Sequence, residues 1–126
     1  MQYSLFLLTP EVSPKDLGDE AMQAGRAAFD AYAKELDAAG ILVSADMLQP
    51  SIATTTVTLR GDEVTVEGAP HTDAPERLMG TFVIDVADRE AAIEWAKKCP
   101  AAQWGSVEVR PSALVFTDGS WQSAAS

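Results

Sequence analysis

Two amphipathic helical stretches set among short apolar strand runs predict an α+β fold. The order of the runs is β-α-β-β-β-β-α-β, and the chain of 126 residues suits one domain. Five or six strands with only two helices imply an antiparallel-rich sheet with both helices on one face, an α/β sandwich. A ferredoxin-like core fits this order. Two amphipathic helices cannot cover both faces of such a sheet. A second protomer is therefore expected on the helix-free face, giving a homodimer.

The first strand is expected over Tyr3–Leu8, an apolar run stopped by Thr9-Pro10. Both of its sides are apolar, which predicts a central strand covered on both faces. Ser13-Pro14 is a helix start, a hydroxyl cap followed by proline at the first helical position. Gly18 then separates a short turn from the main helix, expected over Asp19–Ala39. Met22, Phe29, Ala33 and Leu36 form its apolar stripe, with Gly25 and Tyr32 beside it. Gly40 fits the position that ends a helix.

Strands follow over Ile41–Leu48 and Thr54–Leu59. Arg60–Glu63 is a tight turn, and Val64–Val66 pairs back as a hairpin. The Arg60-Gly61-Asp62 triplet resembles an adhesion motif, but Gly-Asp is ordinary turn chemistry. Glu67–Gly80 lacks any helical or strand period. Thr81–Val86 is the next strand, and Asp88 caps a second helix that runs to Lys98 and is closed by Pro100. Gly105–Arg110 is the last core strand. Ala113–Phe116 is expected to add an edge strand, and Ser120–Ser126 to fray. The domain is read as residues 1–111, with 112–126 an extension that is partly ordered at most.

Nineteen acidic against nine basic residues give a net charge of −10. Such a surface repels phosphate backbones and anionic membranes, so neither nucleic acid nor membrane is an expected partner. One cysteine, Cys99, excludes an internal disulfide and a thiolate zinc site, and no metal or other cofactor is expected. Cys99 falls on the apolar face of the second helix and reads as core. The apolar start lacks a basic leader region, and no run approaches the roughly 20 residues of a membrane span. A cytoplasmic location is expected.

The irregular Glu67–Gly80 segment is the expected site, because long loops in compact domains commonly carry function. It holds the single histidine, His71, with Asp73 two residues on. His71 is the natural general acid/base, and Asp73 is placed to orient it. The bland alternative is an exposed loop histidine, with Asp73 starting a turn before Pro75. Glu108 and Arg110 alternate on the last strand and point to the helix-free face. Thr54, Thr56, Thr58 and Arg60 are expected to line that face from the third strand. Arg110 there either binds a carboxylate or enolate oxygen bidentately or forms an ion pair with Glu108 or a second subunit. Gln49, at a strand end, either contacts ligand or closes a turn.

Several strings together resemble the YCII-related superfamily, and within it the branch with an Asp-Gly-Pro-Phe signature. They are Met1-Gln-Tyr-Ser-Leu-Phe-Leu-Leu8, Leu48-Gln49-Pro50, Thr54-Thr-Thr-Val57, Glu76-Arg-Leu-Met-Gly80, Ala91-Ala-Ile-Glu-Trp-Ala96 and Cys99-Pro-Ala-Ala102. The most specific is Gly105-Ser-Val-Glu-Val-Arg-Pro111. The resemblance implies a ferredoxin-like fold and a dimer whose sheets pack into a barrel-like unit. It implies either a cofactor-independent acid/base enzyme, isomerase- or lyase-like, acting on a small carbonyl or ring-derived acid, or a dimeric binding module, including one tied to sigma-factor regulation. A His/Asp catalytic pair is part of that expectation. The signature itself falls on Gly68-Ala69-Pro70-His71, where only the proline matches. Its aspartate is replaced by Gly68, leaving Asp73 as the nearby carboxylate that can take its part.

Overall fold

The computed structural model describes residues 1–124. Its core is a sheet of four strands, β1 (Gln2–Pro10), β2 (Leu42–Met47), β5 (Glu76–Asp85) and β6 (Ser106–Pro111). They run in the order β2-β5-β1-β6, and every neighbouring pair is antiparallel. Helix α2 (Asp19–Ala38) links β1 to β2 with β5 between them, and α3 (Arg89–Lys98) links β5 to β6 with β1 between them. These two interleaved split crossovers make the α+β, ferredoxin-like arrangement. Two short helices, α1 (Pro14–Leu17) and α4 (Ala101–Trp104), bring the number among the described residues to four, where the sequence suggested two.

The helices bury one sheet face. Tyr3, Leu5 and Leu7 of β1, Phe82 and Ile84 of β5, Tyr32 and Leu36 of α2, and Ala92 and Ala96 of α3 form one buried cluster with Cys99 and Ala101. The period of two along β1 is unbroken from Gln2 to Thr9: odd positions are buried and even positions are not. Phe6 and Leu8 therefore lie on the opposite face with Val83, half-buried and covered by no described element. β1 is central, as expected, but covered on one side only.

Local sequence explains the punctuation. Ser13 Oγ accepts from Asp16 N at 3.2 Å and caps α1. Gly40, with φ of 74°, ends α2, its N–H reaching Asp37 O at 2.9 Å while Ile41 N reaches Leu36 O at 3.2 Å. Asp88 Oδ1 accepts from Ala91 N at 2.9 Å and starts α3. α3 ends at Lys98, and Pro100 adopts helical angles that lead into α4.

Three expectations need correction. The strand run at Thr54–Leu59 does not enter the main sheet: β3 (Thr56–Arg60) pairs with β4 (Glu63–Glu67) as a separate ribbon, after a 3₁₀ turn at Ser51–Ala53. The turn at Gly61 lets the two strands satisfy each other, while β5 takes the place beside β2. The irregular segment is also shorter than expected. Glu76–Gly80 belongs to β5, pairing with Leu7–Pro10 through a bulge between Leu7 and Leu8. Finally, Ser120–Ser123 is not frayed. As β8 it pairs with β7 (Leu114–Thr117), joined by a 5.2 Å edge contact between Phe116 and Trp121. β7 thus joins a hairpin and not the sheet edge; the rest of the expected frayed end, residues 125–126, lies outside the described residues.

Candidate functional site

The loop of residues 68–75 enters β5 at the end of the sheet where Pro10 faces Glu76. Several side chains gather there. Glu11 accepts from Ser51 N and Ser51 Oγ, both at 2.8 Å, and fixes the 3₁₀ turn against the end of β1. Thr56 Oγ1 donates to Ala69 O at 2.6 Å and ties the ribbon to the loop. Arg77 donates to Thr72 O at 3.2 Å and forms a close ion pair with Asp73. Ser51, Ile52, Gly68, Ala69, Pro70, Thr72, Asp73 and Arg77 surround a cleft of about 370 Å³.

His71 does not line this cleft and is exposed. Among the described residues it has no hydrogen-bond partner, and Asp73 is engaged by Arg77. The His71–Asp73 pairing expected from their spacing is thus absent from this geometry. Arg77 was not singled out from the sequence. Its one local signal is the four-residue spacing from Asp73, which carries little weight in an irregular segment.

The other expected site residues lie elsewhere. Arg60 ends β3 at the ribbon tip, where, among the described residues, its side chain donates only to Leu59 O, at 3.4 Å. Gln49 follows β2, exposed and unbonded among the described residues. Glu108 and Arg110 face Phe6 and Ser4 of β1, so both stand on the helix-free face as the alternation predicts. Two rows cross that face: Ser44, Val83, Ser4 and Arg110, then Asp46, Thr81, Phe6 and Glu108. Arg110 has no carboxylate partner among the described residues. Glu76 Oε1 accepts from Ser106 Oγ at 2.8 Å and closes the loop end of the same face.

Within one chain, the loop and Arg110 are not neighbours. Their β1 partners are Pro10 and Ser4, six residues apart, or roughly 20 Å along a strand. Residues 68–75 therefore do not border Arg110 inside a single protomer. Arg77 also pairs with Thr9, a buried position, so it leaves the sheet on the helix side while Arg110 leaves it on the open side.

Tyr32 and Cys99 are titratable side chains of the core. Tyr32 Oη donates to Trp95 O at 2.8 Å, and burial pushes its phenol far above the usual range. Burial likewise raises the Cys99 thiol. Among the described residues, no three histidine, cysteine, aspartate or glutamate side chains converge to hold a metal ion. No described helix is long and apolar enough to cross a membrane.

The family model for the YCII-related domain matches residues 4–113, from the first strand to just past the last strand of the sheet. The chain belongs to the YCII-related family. The match spans all four sheet strands, both crossover helices, the β3–β4 ribbon and the 68–75 loop. The β7–β8 hairpin lies beyond it. No curated protein matches the chain. In this YCII-related domain, Pro70 lines the cleft while His71, the next residue, does not.

Proposed function

We propose that this YCII-related domain is a homodimeric binding module for a small anionic molecule, with the helix-free sheet faces of two copies packed together. The observation that carries the reading is the open face itself. Phe6, Leu8 and Val83 sit half-buried at its centre, and Arg110 stands beside Ser4 with no carboxylate partner among the described residues. A two-fold interface needs a patch that complements itself. This one has an apolar centre and, two residues apart on an outer strand, one acidic and one basic side chain.

Closing two such faces removes water from the Arg110 guanidinium. A fork of donors in a drier site suits a carboxylate bound bidentately. The geometry supports binding over acid/base turnover at His71, which is exposed, does not line the cleft beside it and stands apart from an Asp73 held by Arg77.

Sedimentation equilibrium of the native chain and of Phe6→Glu tests the assembly. The native chain sediments as a dimer and the variant as a folded monomer. Calorimetric titration with small aromatic and keto acids tests the site, with binding lost in Arg110→Gln. A monomeric native chain, or acid binding that survives Arg110→Gln, refutes the reading.

A further inference from the structure

We infer that the cleft beside the 68–75 loop takes a short aliphatic monocarboxylic acid, and that Asp73 holds the acid's place when none is bound. Arg77 lies in the cleft wall with its side chain 22% exposed, and its guanidinium already grips a carboxylate, that of Asp73. The Asp73 side chain is 98% exposed, so it reaches the guanidinium from the water side. This is the contact that the carboxylate of a ligand has to reproduce. Thr72 O accepts a second N–H of Arg77 at 3.2 Å. A guanidinium carries five, so among the described residues the fork keeps donors to spare.

Size, wall and charge narrow the ligand. At about 370 Å³ the cleft is at the small end of ligand pockets. Ile52, Ala69 and Pro70 give it an aliphatic wall, and no aromatic side chain lines it. Ile52 is 89% exposed, so a short aliphatic body laid on it removes apolar surface from water. The wall is held in place beforehand: Ser51, beside Ile52, is bonded to Glu11, and Ala69 O is bonded to Thr56 Oγ1. Little ordering then opposes binding. Glu11 and a released Asp73 put two negative charges near a single guanidinium. Arg77 matches one incoming carboxylate and leaves a second unmatched, which selects a monoacid. Releasing Asp73 weakens binding by at most about fivefold, because an ion pair so exposed on one side is weak. The inference uses neither a second copy nor the open sheet face, and its aliphatic ligand is set apart from the aromatic and keto acids assigned to Arg110.

Amide-resolved NMR titration of the isotope-labelled full chain with sodium isovalerate, at constant ionic strength, tests it. Saturable shifts are expected at the amides of Ile52, Ala69 and Arg77, and none with the neutral isovaleramide. Asp73→Asn tightens binding by up to about fivefold, because the internal competitor is gone. Arg77→Gln weakens it at least tenfold, and Arg77→Lys, which keeps the charge and loses the fork, falls between, with native circular dichroism in each. Methylsuccinate, with its second carboxylate, binds more weakly than isovalerate. Arg110→Gln binds isovalerate as the native chain does. The inference is overturned if no cleft amide shifts saturably, if isovaleramide binds as well as the acid, or if Asp73→Asn weakens binding. Isovalerate binding lost in Arg110→Gln and kept in Arg77→Gln moves the acid to the open face and leaves only the Arg110 reading standing. Aromatic acids that fail to bind at Arg110 sink that reading and leave the cleft inference intact.

Discussion

The Asp73 carboxylate is held by the Arg77 guanidinium, four residues along the chain, and not by His71. Asp73 is 98% exposed and Arg77 22% exposed, so the pair has one foot in water and one on the sheet. An ion pair so exposed on one side contributes less than about 1 kcal/mol. Asp73→Asn should therefore leave the unfolding free energy within that margin and shift the loop only locally. A loss of several kcal/mol in urea unfolding would mean that the loop is anchored more deeply than this contact implies.

The main architecture was legible because it is written in local pattern. The apolar run from Tyr3 to Leu8 and the stripe from Phe29 to Leu36 each select an element; the stripe also marks its buried face, whereas the run, apolar on both sides, pointed to two covered faces where one is buried. What local pattern does not encode is which strand joins which sheet. Val57 and Leu59 read as good strand formers whether they enter the core or stand apart, and only the β5–β2 pairing decides against them. The same holds for the site. Alternation placed Glu108 and Arg110 on the open face, since period two fixes direction. In the 68–75 loop no period exists, so proximity of His71 to Asp73 in sequence carried no information about contact. Arg77 competes for the same carboxylate with a full charge and a fork of donors, and it wins.

Helix α3 depends on its cap. Asp88 Oδ1 satisfies the Ala91 N–H at 2.9 Å, and its charge lies at the positive end of the helix. Asp88→Ala should cost about 1 kcal/mol in denaturant unfolding. Asp88→Ser should recover most of it, because the hydroxyl accepts the same bond. Equal losses for both variants would show that the cap contributes through something other than that hydrogen bond.

Gly105 lets β6 start beside the end of β1. A methyl group there would collide with Leu8 O and stand 2.9 Å from Thr9 Cα, both parts of the β1 backbone. Backbone cannot step aside as a side-chain tip can. Gly105→Ala should lower stability by at least about 2 kcal/mol, the scale of overpacking in a close-packed interior. Thermal unfolding of the variant checks this, and an unchanged midpoint would show that the two strands have slack at this crossing.

Tyr32 and Cys99 link stability to alkaline pH. Burial is the main reason that the Tyr32 phenol rises above its ordinary value of 10.0, with the nearby charges of Cys99 and Glu35 adding to it. Burial also raises Cys99 above 9.0, opposed by hydrogen bonds from the Ala101 and Ala102 backbone. In the window above 9.0 and 10.0, the folded chain keeps protons that the unfolded chain releases. The stability associated with these groups is complete below the unfolded values and is lost as pH rises through that window. Each group contributes a slope of at most about 1.4 kcal/mol per pH unit. Urea unfolding at pH 8, 9, 10 and 11 should thus show a decline that steepens above 10. Tyr32→Phe should lose about 1 kcal/mol at neutral pH, the Trp95 O bond being gone, and its decline should be shallower. Adding Cys99→Ala should remove the onset near pH 9. If the double variant falls as steeply as the native chain, the alkaline transition belongs to other groups.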